Sequence, residues 1–182
     1  TNCSFKLPIT ATSSSTSCFA MSGSLTSATT ACTQEADSNI IDGCLMEGSY
    51  YCVAMYGITS GLANGNQIKN SELKDYYVYG VYAYYQNEML IANNEMHRPT
   101  RTSVSTFYGM VCGGLASNML IEKNWIHDAF GATLTSTSTA YPMLLQMDAS
   151  SAANANVVVN NVIENIQGNG THYMLYTSSA DN

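Results

Sequence analysis

The chain has 182 residues and a formal net charge of -7, enough length for one well-cored domain. Only 10% of its residues are charged, against roughly a quarter in globular proteins, so its solubility rests on Ser, Thr, Asn, Gln and Tyr side chains. Six scattered basic residues argue against a nucleic-acid partner, which needs a basic patch, and against an anionic membrane surface; no apolar run approaches a membrane span.

The chain opens on Asn2-Cys3-Ser-Phe5 and enters residues 8 to 37, an insertion of Ser, Thr and Ala with Cys18 and Cys32 near its ends. Ile41-Asp-Gly-Cys44-Leu-Met46 and Tyr51-Cys-Val53 follow. From there two phrases alternate. The first reads aliphatic-x-x-Asn-x-aliphatic: weakly in Ala63-Asn-Gly-Asn66-Gln-Ile68, and fully in Ile91-Ala-Asn-Asn94-Glu-Met96, Ile121-Glu-Lys-Asn124-Trp-Ile126 and Val158-Val-Asn-Asn161-Val-Ile163. The second reads Tyr-x-aliphatic, in Tyr51-Cys-Val53, Tyr79-Gly-Val81, Tyr108-Gly-Met110, Tyr141-Pro-Met143 and Tyr173-Met-Leu175. Turn insertions fall at residues 98–107, 131–140 and 149–156.

Each phrase is short, alternates in and out, and is bounded by Gly, Asn, Ser or Thr, which predicts a short strand. Spacing between copies is uneven. Helical solenoids fix their repeat length, whereas a parallel β-helix lets its turns swell. The prediction is therefore an all-β solenoid of about six coils, stacked ~4.8 Å apart, with long Ser/Thr-rich turn insertions. Residues 1–182 form a single domain. Neither terminus reads as a cap, so the chain is expected to be a segment of a longer solenoid, or to have its ends covered by neighbouring chains.

Asn66, Asn94, Asn124 and Asn161 are expected to share one corner, accept left-handed backbone there, and bond amide to amide up the body. Cys44 and Cys3 take the same slot toward the N-terminal end. Alternation predicts Tyr79, Tyr108, Tyr141 and Tyr173 inward, with Val81, Met110, Met143 and Leu175. The opposite parity sends Ala54, Tyr82, Val111, Leu144 and Tyr176 outward. Tyr82, Tyr84, Val111, Leu144 and Tyr176 make the predicted contact stripe for a partner or a glycan.

Several phrases carry a family likeness: Tyr-Gly-Val-Tyr at 79–82, NNEMH at 93–97, RPTRTSVSTFYG at 98–109, IEKNWIHDAFGATLTSTST at 121–139 and NNVIENIQGNGTHY at 160–173. They resemble the right-handed parallel β-helix repeats of large secreted proteins from Bacteroidota, many of them similar to cargo of the type IX secretion system. The resemblance spans roughly residues 39 to 182. It implies a right-handed β-helix on an extracellular or cell-surface protein, but no activity, because the same fold serves pectate lyases, tailspikes, adhesins and stalks. The sorting domain usual in such cargo is not among these residues, and the frequent Gly after Tyr becomes Cys52, Pro142 and Met174.

A polysaccharide lyase needs clustered acids for calcium and an Arg or Lys base on one outer face; a hydrolase needs paired carboxylates. Here Asp75, Asp128, Asp148 and Glu164 occur singly, and Arg98 and Arg101 share a turn with no acid beside them. The expected role is a non-catalytic structural or adhesive segment with no cofactor, its partners being other parts of a longer chain, neighbouring chains or a surface glycan. One alternative is a carbohydrate-active β-helix with acids converging near Asp128, Asp148 and Arg98. A second is a carbohydrate-binding β-helix with Tyr82 and Tyr84 flat along a groove, and a third is an end-to-end filament subunit. His97 and His127 share a slot, with Lys69 below and Glu164 above, a set able to bind metal but read here as a solvated exterior ladder. The six cysteines show no CxxC. Cys3 with Cys44, and Cys18 with Cys32, are the candidate disulfides; buried free thiols are the alternative.

Overall fold

In a computed structural model, which describes residues 3–147 and 152–178, three main parallel sheets wrap one apolar core, and Ala63–Asn64 pairs with Gln86–Asn87 in a small fourth one. The first sheet stacks Ile40–Asp42, Gln67–Lys69, Leu90–Ala92, Leu120–Glu122 and Val157–Val159. The second stacks Ser4–Lys6, Leu45–Glu47, Glu72–Lys74, Glu95–His97, Trp125–His127 and Val162–Ile163. The third stacks Ser17–Met21, Tyr51–Tyr56, Tyr79–Tyr84, Phe107–Gly114, Ala140–Met147 and Leu175–Thr177. The chain visits the sheets in rotation, so strands adjacent in space come from successive coils. This is the parallel β-helix that the alternating phrases predict.

Alternation fills the core. Ile41, Ile68, Ile91, Ile121 and Val158 are Cα partners up the first sheet. Phe5, Met46, Leu73, Met96, Ile126 and Ile163 do the same in the second. Each fully buried aliphatic in these columns stabilises the fold by roughly 1.5–3 kcal/mol. In the last coil the same register is open: Val158 is 38% exposed and Leu175 54%.

The corner between the first and second sheets takes two residues. The first adopts positive φ, at Gly43, Asn70, Asn93, Lys123 and Asn160, a conformation Gly and Asn accept at least cost. The second turns inward: Cys44, Ser71, Asn94, Asn124 and Asn161. The left-handed backbone thus belongs to the residue before each ladder position, not to the ladder asparagine. Asn94 Nδ2 donates to Asn124 Oδ1 at 3.0 Å, and Asn124 Nδ2 to Asn161 Oδ1 at 2.9 Å. Asn66 is not in this column. The register pairs Ile68 with Ile91, which puts Ser71 opposite Asn94; Ser71 N–H donates to Asn94 Oδ1. Asn66 occupies the opposite corner, before the first sheet, where it accepts from Asn39 N–H and Nδ2 and donates to Gln86 Oε1.

Residues 8–37 are more than an insertion. Ser17–Met21 forms the first strand of the third sheet, with Phe19 opposite Val53 and Met21 opposite Met55. Its apolar residues sit inside a Ser/Thr run that hides their alternation.

The turn after His97 is locked from within. Arg98 and Arg101 are fully buried, and an acid does stand beside them. Asp75, one coil below, accepts from Thr100 N–H, Arg101 N–H and the Thr100 hydroxyl. Arg101 donates to the carbonyls of Asp75, Ser103 and Ala11, tying the 8–37 segment to the body.

Candidate functional site

The third sheet carries the tyrosines on its outer face. Two inward positions follow one another there, because Gly80 faces the ring of Tyr76 and Gly109 faces Ile126; a Cβ on Gly109 would lie 2.5 Å from the Pro142 carbonyl oxygen and 2.7 Å from Ile126. That local break in alternation reverses parity. Tyr79, Tyr108, Tyr141 and Tyr173 therefore point outward, contrary to strict alternation, and stand on the same face as Tyr82 and Tyr176.

Tyr51, Tyr79, Tyr108, Tyr141 and Tyr173 stack as one column, with successive centroids 4.9, 4.9, 5.2 and 5.1 Å apart and rings within 15° of parallel. Coil spacing alone sets that distance. The neighbouring column is Ala54, Tyr82, Val111, Leu144 and Tyr176. Tyr82 meets Tyr79 edge-on, and Tyr176 meets Tyr173 edge-on. A third column sets Tyr56 parallel to Tyr84. Tyr84 leans over Gly113, the only residue type with room for it, and its hydroxyl meets Gln146 Oε1 at 2.9 Å.

The predicted stripe is thus partly exposed. Val111 is 2% exposed, a short side chain set between Tyr82 below and Leu144 above. At the lower end Ala28 of the 8–37 segment covers Tyr51 and Ala54. Tyr82, Tyr84 and Leu144 are half-buried, and Tyr176 is exposed. Rings stacked face to face leave edges and hydroxyls, not ring faces, toward solvent.

Crowding resists ionisation of this face. Burial, then neighbouring Tyr50, pushes the Tyr51 phenol up to about 12. Burial also raises Tyr79 and Tyr82, with smaller contributions from adjoining tyrosines. Unfolded tyrosines titrate near 10, so above pH 10 the folded chain retains protons that the unfolded chain releases, and stability falls as pH rises through the folded values. Arg98, brought down to about 10 by burial, and Arg101, also lowered by burial, act in the opposite sense, but they are fewer than the tyrosines raised. We expect alkaline unfolding followed by circular dichroism to begin above pH 10, with tyrosinate absorbance rising in step with unfolding. Full tyrosinate absorbance at pH 10.5–11 with native circular dichroism would contradict the buried face.

The second sheet carries a different cluster. Glu72 and Glu95 are Cα partners, as are Lys74, His97 and His127 in the next outward column. The residue under His97 is Lys74, not Lys69, because the phrase in that coil runs from Ile68 to Leu73. His97 Nε2 lies 3.0 Å from Glu72 Oε1, and its Nδ1 3.8 Å from Glu95 Oε1. His127 Nε2 lies 3.1 Å from the same Glu95 oxygen, and its Nδ1 2.8 Å from Asp128 Oδ2. Trp125 stacks on His127 at 3.9 Å and donates to Glu164 Oε1. Glu72, Glu95 and Trp125 escaped the sequence reading; aligning Ser71 with Asn94 would have brought both glutamates into this column.

Arg98 is unavailable as an exposed base: its guanidinium donates to the carbonyls of Ala129, Tyr77 and Ser105. Asp148 lies outside the described residues. All six thiols are free. Cys3 and Cys44 do share a slot, through the bond from Leu45 N–H to the Cys3 carbonyl, without a disulfide. The thiol beside Cys18 is Cys52, not Cys32; its hydrogen bond brings Cys18 down to about 7. Burial pushes Cys52 up.

The family model for the right handed beta helix region matches residues 21–182. The chain belongs to the right-handed β-helix family. No curated protein and no solved structure matches it. Membership gives the β-helix its handedness and agrees with the three-sheet coil, while its activity has to be argued from the site. Among the described residues, no helix is long and apolar enough to cross a membrane.

Proposed function

We propose that this β-helix is a non-catalytic structural and adhesive body of a secreted or cell-surface protein, and that the tyrosine face of its third sheet is its contact surface for a partner protein. The tyrosine columns carry the reading. Tyrosine supplies large contact area at low entropy cost together with a hydroxyl for hydrogen bonding, and it is enriched at protein contacts. The columns are held rigid by coil stacking, so little order has to be gained on binding. A glycan is the second reading, favoured by Tyr56, Tyr82 and Tyr84 lying nearly parallel. It is disfavoured by the face-to-face stacking of the main column, since sugar stacking needs a free ring face.

Solid-phase binding of the purified chain to extracellular matrix proteins and, separately, to polysaccharides tests this. The double variant Tyr82→Ala/Tyr84→Ala, with its fold checked by circular dichroism, should lose protein binding about tenfold or more, as hot-spot aromatics do. Loss of polysaccharide binding instead would establish the glycan reading. Unchanged binding in the variant would remove the tyrosine face from either role, and cleavage products from a polysaccharide would overturn the non-catalytic reading.

A further inference from the structure

We propose that Glu95, His97 and His127 bind a divalent transition-metal ion of the zinc class on the outer face of the second sheet, apart from the tyrosine face. One donor atom from each of the three lies within 4.8 Å of the others. Zinc bonds of about 2.0–2.1 Å in a tetrahedral site hold donor atoms about 3.3 Å apart. The separations from Glu95 Oε1, 3.1 Å to His127 Nε2 and 3.8 Å to His97 Nδ1, bracket that value, so small side-chain rotations complete the set.

The second nitrogen of each ring supports this assignment. His127 Nδ1 meets Asp128 at 2.8 Å and His97 Nε2 meets Glu72 at 3.0 Å. A neutral imidazole that donates its N–H to such a carboxylate presents a bare lone pair at the other nitrogen. In that tautomer both lone pairs face the single oxygen of Glu95, an arrangement relieved either by a metal ion between them or by protons on the rings. Carboxylates behind metal-bound histidines play this orienting part in known sites. Both histidines are buried, at 7% and 6% exposure, so their rings are already oriented. Glu72, Glu95 and Asp128 outweigh Lys74, the one cation in register below His97. Three protein donors leave a fourth position for a ligand from solvent or from a partner.

The chelator-stripped chain would be titrated with zinc chloride by calorimetry, and with Co²⁺ while monitoring tryptophan fluorescence. Trp125 is the only tryptophan, and its ring lies 3.9 Å from that of His127, so it reports on the site. The expected result is one zinc ion per chain and quenching of Trp125 by Co²⁺. Glu72→Gln, which removes an orienting carboxylate only, should weaken binding roughly 10–100-fold. His97→Ala and the isosteric Glu95→Gln should weaken it further. Circular dichroism confirms that each variant is folded, and Glu95→Gln keeps the test intact if His97→Ala is not. No uptake at millimolar zinc overturns the proposal and leaves imidazolium–carboxylate pairing as the role of the cluster. Uptake that survives both ligand variants within tenfold overturns it equally and places the ion elsewhere.

Discussion

Replacing Arg98 with alanine is expected to lower the unfolding free energy by about 3–5 kcal/mol, through the carbonyls it leaves without a donor and the void it opens between two rings. The side chain has no exposed surface. Among the described residues no carboxylate pairs with its guanidinium; instead it lies between the rings of Phe107 and Phe130, 4.9 Å from each, and donates to three backbone carbonyls from three coils. Truncation leaves those carbonyls buried without a donor, at about 1–3 kcal/mol each before relaxation, and opens a void between two rings. Arg98→Met refills the void and leaves the carbonyls bare, so it should recover part of the loss. Arg98→Lys cannot reproduce the fork and should remain well below wild type. Urea denaturation gives the differences through shifts in midpoint at constant slope. A loss under about 1 kcal/mol for Arg98→Ala would show that the guanidinium is not what holds this turn.

The second large effect is expected at Asn124. Its Oδ1 accepts from both Asn94 N–H and Asn94 Nδ2, and its Nδ2 donates to the Ile91 carbonyl and to Asn161 Oδ1. Asn124→Ala therefore orphans the buried Asn94 N–H and removes a donor from the Ile91 carbonyl, for a loss of about 2–4 kcal/mol. Asn124→Ser should cost clearly less, because Ser71 does part of the same work in its own coil: its hydroxyl accepts from Cys44 N–H and donates to the Lys69 carbonyl. Equal losses for the two variants would mean that volume, not hydrogen bonding, sets the requirement at this corner. Arg98 and Asn124 lie in different networks, so a double variant is expected to show additive losses.

Much of the fold was legible because coil stacking repeats identical environments at each level. The aliphatic phrase appears wherever a strand turns a side chain inward, and Asn94, Asn124 and Asn161 recur because each amide must meet the one above. The errors came where one coil departs from the pattern. A serine in the ladder slot at Ser71 let Asn66 take its place in the alignment, and that shift put Lys69 where Lys74 stands. The tyrosine parity failed for a backbone reason: two successive inward positions at Gly80 and Val81 cannot be told from regular alternation by residue type. Glu72 and Glu95 gave no local sign of reaching toward the histidines, because they lie well apart in the chain and meet only across coils.

The sequence by itself determined the parallel β-helix and the aliphatic residues that fill it, since burial and repeated corner chemistry leave their period in the chain. Only the tertiary structure decided register, and with it which columns face outward, which thiols are neighbours and which carboxylates surround His97 and His127. One residue of slip leaves composition and period almost unchanged, yet it moves every side chain to a new partner one coil away.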